Sequence, residues 1–211
     1  MQKIKKFKIS LRPASVRKNY KELAGIDSLP ADTEELLKKE YEGAHSWLEP
    51  AAVFNTFKGN QWPHYLKAPQ GPVDPVAATL VAATVGAAAE KLIEKETSPQ
   101  TPLSLAVAAL AEEGAAASAA FVERLILEEA KGEDCELSEP VDIVIPADRA
   151  TALKDISAVK IGIQEEGGRL VPRFTRIRAF FWIPRMTKRR RLILPSNTSA
   201  ADPSSTTCPL F

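Results

Sequence analysis

The stretch "TLVAATVGAAAEKLIEKE", Thr79 to Glu96, passes from an apolar run through a single glycine into a charged amphipathic pattern. A glycine between strand and helix can cradle a phosphate, because backbone without a Cβ lets amides close on the anion. A dinucleotide fingerprint needs further glycines at fixed spacing and a P-loop needs a following lysine, and Gly86 has neither. Gly86 is read first as a structural turn, with a ligand groove beside it as the open alternative. Glu165 and Glu166 are adjacent, so on a strand they point to opposite faces and read as exposed turn carboxylates rather than a general acid–base pair. His45 falls off the apolar stripe of its helix and His64 lies in a proline-rich loop, and no serine–acid arrangement accompanies either. No catalytic residue is assigned. Cys135 and Cys208 are too few for a disulfide scaffold or a cysteine metal site, and the two histidines lack ligand spacing, so no zinc, iron–sulfur cluster or other directly bound metal is expected.

The basic run Lys188–Arg191, preceded by Arg176, Arg178, Phe180, Phe181, Trp182 and Arg185, is the local patch where cations and rings mix. Such a segment can track phosphates while rings stack on bases. It reads more simply as a hydrophobic final strand followed by a solvated basic tail; specific nucleic-acid recognition is not expected, and a nucleic-acid-binding protein using this patch is the lesser alternative function. The 28 basic and 27 acidic residues nearly cancel, so no global field draws the chain to nucleic acid, membrane or acidic substrates.

The elements that must position these residues are mixed. Phe7, Ile9 and Leu11 alternate with polar residues and predict a strand that Pro13 ends. Val16, Tyr20 and Leu23 predict a short helix closed by Gly25. Asp32 as cap, with Glu35 three residues on, predicts a helix whose stripe is Leu37, Tyr41, Ala44 and Leu48. Val53 to Phe57 and Val76 to Thr84 predict strands on either side of a proline-rich loop. Ala88, Ala89, Leu92 and Ile93 then share the apolar face of a helix. Thr101 as cap and Pro102 at the first helical position open the alanine-rich segment, read as two helices or as one interrupted at Gly114. "VDIVIP" predicts a short strand, 147–154 a short helix, and "VKIGIQEEGGRLVPRF" two strands turning through Gly167 and Gly168; beyond Phe174 the pattern fades. The reading is one α+β domain over residues 1–184, then a basic segment and disordered tail over 185–211.

The N-terminus is basic without a following apolar region, so no signal peptide is expected. The longest apolar stretch, read as Pro75 to Ala89, falls short of the roughly 20 residues that span a bilayer. A cytoplasmic protein is the expectation.

From residue 34 to about 183 the order of features resembles the activation-region family of vitamin B12-dependent methionine synthase, including its small members that stand alone. The residues carrying the resemblance are "WLEPAAVFNTF", "ATVGAAAEKLIEKE", "LAVAALAEEGAAASAAFVERLILEEA" and "IGIQEEGGRLVPRFTRIRAFFWI". The resemblance implies an α+β fold with a bent antiparallel sheet flanked by helices. It implies a shallow groove for S-adenosylmethionine, whose methyl group restores a cobalamin oxidised to cob(II)alamin while a separate reductant supplies the electron. The corrinoid would be held by a partner, a cobalamin-binding protein or methyltransferase. Carried over by position, the substrate-binding candidates are Thr84, Gly86, Ser138, Glu165, Pro172 and Thr175. The family's arginine that grips the donor's carboxylate falls at Glu136, its Gly-Tyr pair at Pro140 and Val141, and the acid before its central glycine at Ala111. An acid facing a carboxylate repels it, so the resemblance leaves two functional readings: a methyltransferase-type reactivation component, or an interaction module that has lost its donor site.

Overall fold

A computed structural model describes residues 1–59 and 62–185. The chain runs β1 (Gln2–Lys5), α1 (Pro13–Ala24), α2 (Ala31–Gly43), a 3-10 turn (Ala44–Ser46), β2 (Ala51–Lys58), β3 (Ala77–Thr84), α3 (Ala88–Glu94) and α4 (Pro102–Gly132). It continues through β4 (Cys135–Leu137), β5 (Val141–Asp142), α5 (Pro146–Asp155), a 3-10 turn (Ala158–Ile161), β6 (Gln164–Glu166), β7 (Arg169–Val171) and β8 (Thr175–Pro184). The main sheet is antiparallel, in the order β1-β2-β3-β8-β4, with β5 also paired to β8. A separate hairpin joins β6 to β7. This is the expected α+β architecture.

Every residue of β3 is buried, because helices cover both faces of the sheet at its centre. Alternation then disappears from the sequence and leaves a continuous apolar run. Ala77, Val81 and Ala83 join Phe54, Phe180 and Trp182 under Val122 and Ile126 of α4. Ala78, Leu80 and Ala82 join Val53, Ile177 and Phe181 on the opposite face, closed by Leu153, Ile156 and Ile163. Each large side chain so buried contributes roughly 1.5–3 kcal/mol. Thr79, the polar exception on the α4 face, accepts a 2.8 Å bond from Trp182 Nε1 and shares a 2.9 Å bond with Thr56, so its burial leaves no polar atom orphaned. A third apolar cluster joins α1 and α2 to the first half of α4.

The end of α1 and the start of α4 follow local chemistry. Gly25 closes α1 at φ 66°, and Thr101 caps α4 by accepting the Ser104 N–H at 3.1 Å, with Pro102 next. α4 runs unbroken through Gly114, where a Cβ would stand 3.0 Å from Val85 Cγ1 and 3.3 Å from Leu48 Cδ2. Glycine is there for close approach, not to interrupt the helix. Among the described residues α4, rather than residues 75–89, is the segment long and apolar enough to cross a membrane by length and composition, yet 67% of its apolar window is buried inside the fold.

Several expectations are corrected. The N-terminal strand is Gln2–Lys5, not Phe7–Leu11, because Lys6 turns into the left-handed region at φ 55° and ends the ladder. Phe7 instead stacks on Phe121 and Leu11 enters the helix cluster. Asp32 does not cap α2. The helix begins at Ala31, with the Pro30 carbonyl accepting from Thr33 and Glu34, and Asp32 lies in the first turn, where its charge still complements the dipole. The strand expected over "VDIVIP" stops at Asp142, since Ile143 turns inward. Beyond Phe174 the pattern does not fade: β8 is a ten-residue strand paired with β3 from Thr175 to Trp182 and with β4 at its end. The run Lys188–Arg191 lies outside the described residues.

Candidate functional site

Thr84, Gly86, Pro172 and Thr175 converge where β3 ends and β8 begins. Thr84 and Thr175 are cross-strand partners. The Thr84 hydroxyl donates to the Phe174 carbonyl at 3.1 Å and accepts the Gly86 N–H at 3.2 Å, so it ties the turn to the next strand. The Thr175 hydroxyl donates to the Pro172 carbonyl at 2.7 Å. Gly86 sits at φ 80°, and a Cβ placed on it would meet Glu49 Cβ at 3.1 Å and Oε2 at 3.2 Å. The Glu49 N–H donates to Val85 at 2.9 Å, so the chain entering β2 is pinned to the same turn. Glu90, in the first turn of α3, accepts the Arg173 N–H. The exposed Arg173 guanidinium lies 5.4 Å from the centre of the Phe174 ring.

Glu165 and Ser138 lie on other elements. Glu165 is not an exposed turn acid: its side chain is 8% exposed, and Arg149 of α5 covers it through Nε to Oε2 at 3.3 Å and Nη2 to Oε1 at 3.4 Å. Arg149 Nη2 also donates to the Gly168 carbonyl at 2.7 Å, binding α5 to the β6–β7 turn. Ser138 continues the β4 edge. Its N–H donates to Phe181 O at 2.8 Å, its hydroxyl accepts the Phe181 N–H at 3.0 Å, and the same hydroxyl donates to Glu139 O at 2.8 Å. Glu136 pairs with Arg185 at 3.3 Å, and Ala111 is fully buried in α4.

The polar atoms at these positions are therefore spent on the fold. Arg149, Glu49, Glu90 and Arg173 were not anticipated as neighbours of the candidates. Arg149 lies sixteen residues before Glu165, with no spacing rule linking a short helix to the following hairpin.

No family model matches the chain, and no curated protein does. Among solved structures, a crystal structure of the MetH reactivation domain bound to AdoHcy superposes with a TM-score of 0.56 at 14% identity, covering 88% of this chain and 79% of that one. The chain has the fold of the MetH reactivation domain. The similarity establishes the architecture, and the functional meaning of the reactivation-domain fold here depends on the side chains just described.

Proposed function

We propose that this protein is a reactivation-domain relative that docks on a cobalamin-carrying protein and has lost the grip on an S-adenosyl ligand. The fold similarity, to a MetH reactivation domain bound to AdoHcy, supports the kinship in architecture, and the link to corrinoid chemistry comes from the resemblance in sequence. The observation that carries the loss is the closure of Arg149 over Glu165. Glu165, a ligand-binding candidate by its place in the resemblance, is here held by a guanidinium of the same chain.

The remaining groups fit an S-adenosyl ligand poorly. Its carboxylate would meet Glu136 rather than an arginine, and the hydroxyls of Thr84, Ser138 and Thr175 already bond backbone. Arg173 is the guanidinium at the β3–β8 end with its charge directed to solvent, but it stands on a different element from the family's arginine. No methyl transfer is derived for this chain. What the fold supplies in this reading is shape, a rigid sheet edge and connecting loops presented to a partner that holds the cofactor.

Binding of the full chain to an immobilised cobalamin-binding domain loaded with cob(II)alamin tests the reading. Docking is expected without donor and unchanged when S-adenosylmethionine is added. Absence of docking, or formation of methylcobalamin when donor and reductant are present, would overturn it.

A further inference from the structure

Eight of the 28 basic residues fall within the first 21 positions, and none of the 27 acidic residues does. Arg12, Arg17 and Lys18 pair with Glu113, Glu34 and Glu22, so the uncompensated charge is concentrated in the lysines of the first eight residues. Lys3, Lys5, Lys6 and Lys8 are all exposed, and among the described residues none has a carboxylate within 4.0 Å. Lysines that neutralised a neighbouring acid would stand in ion pairs, as Lys58 does with Glu133 at 2.6 Å.

The backbone directs part of this charge. Lys6 adopts φ 55°, a conformation that costs an L-residue with a Cβ, and its N–H donates to the Pro50 carbonyl at 2.8 Å. The turn stops β1 and sets Lys6 and Lys8 along a groove of about 670 Å³, with exposed His45 also on its wall. Ile9, Leu48 and Pro50 provide the groove's apolar surface. Glu49 is the acid lining it, and that residue also abuts Gly86.

We infer that this groove is a docking site for an acidic segment of a partner protein, one carrying aliphatic side chains between its carboxylates. The lysines and His45 meet the carboxylates, and the recessed apolar surface receives the aliphatic groups. Nucleic acid fits less well: Phe7, the phenyl ring in the groove, is stacked on Phe121 at 4.4 Å, and no arginine lines the groove. A membrane surface fits less well because the groove's apolar groups are recessed, and none of its residues is among the exposed large hydrophobics. The inference is independent of the corrinoid reading, since it rests on charge and groove shape alone.

The test is fluorescence anisotropy on the full chain with a labelled peptide alternating glutamate and leucine, beside its glutamine–leucine counterpart, an oligouridylate and phosphatidylserine–phosphatidylcholine vesicles. The acidic peptide is expected to bind best and to weaken as salt rises, because exposed charges are screened within about 10 Å at 0.1 M salt. Lys6→Gly combined with Lys8→Gln should weaken it about tenfold, while Tm holds because glycine accepts the turn without strain. Equal binding of the glutamine peptide, no binding at millimolar peptide, no effect of the double variant, or tighter binding of the oligouridylate or vesicles would each overturn the proposal.

Discussion

Arg149 and Glu165 form a two-pronged pair, at 3.3 and 3.4 Å, with their side chains 18% and 8% exposed. A guanidinium on α5 thereby fixes the carboxylate of the β6–β7 hairpin and, through the Gly168 carbonyl, the hairpin's turn. Arg149→Met leaves the buried carboxylate without its counter-charge and should cost roughly 3 kcal/mol. Joining it with Glu165→Leu should recover most of that loss, since replacing both partners of a buried pair with apolar groups removes the stranded charge. Urea denaturation of both variants checks this; an unchanged midpoint in Arg149→Met would show the pair to be unimportant to the fold.

Gly86 is held by two requirements. Its φ of 80° costs a residue with a Cβ about 1–2 kcal/mol, and the added methyl would press on Glu49 Cβ at 3.1 Å. Gly86→Ala should therefore lower stability by at least the backbone term, and Glu49→Gly in the same chain should return only the contact part. Full recovery in the pair would mean that φ carries no penalty.

These relationships were unequally legible in the sequence. Gly25, Thr101 and Pro102 declared their helix ends because caps depend on neighbouring residues only. β8 was obscured because Arg176 and Arg178 interrupt an apolar run, and their partners, Glu112 at 2.7 Å and Asp142 at 2.7 Å, lie on other elements. Lys6 hid the end of β1 because a left-handed lysine leaves no compositional sign, while Phe7 and Leu11 imitate strand alternation yet enter two different clusters. Thr84 and Thr175 could be marked singly from motif order, but their pairing is a property of strand register. The Arg149 closure on Glu165 was invisible for the same reason: it depends on how α5 packs on a hairpin.

Tyr65 gives a pH-dependent check on the sheet face opposite α4. Burial, together with a 2.7 Å hydrogen bond to Asp155, pushes its phenol pKa well above the usual tyrosine range. A raised folded-state value means that its stabilisation is complete below about pH 10, the unfolded value, and is lost as pH rises beyond it. Stability of the parent should fall more steeply above about pH 10 than that of Tyr65→Phe. Parallel curves for the two proteins would refute the assignment.

Calorimetric titration of S-adenosylhomocysteine and S-adenosylmethionine into the full chain tests the central claim most directly. With Glu165 closed by Arg149, and Glu136 at the position the resemblance gives to the carboxylate grip, neither ligand should give heat of binding up to millimolar concentration. Micromolar affinity for either, abolished by Glu165→Gln, would contradict the account and return the protein to the donor-binding members of its fold.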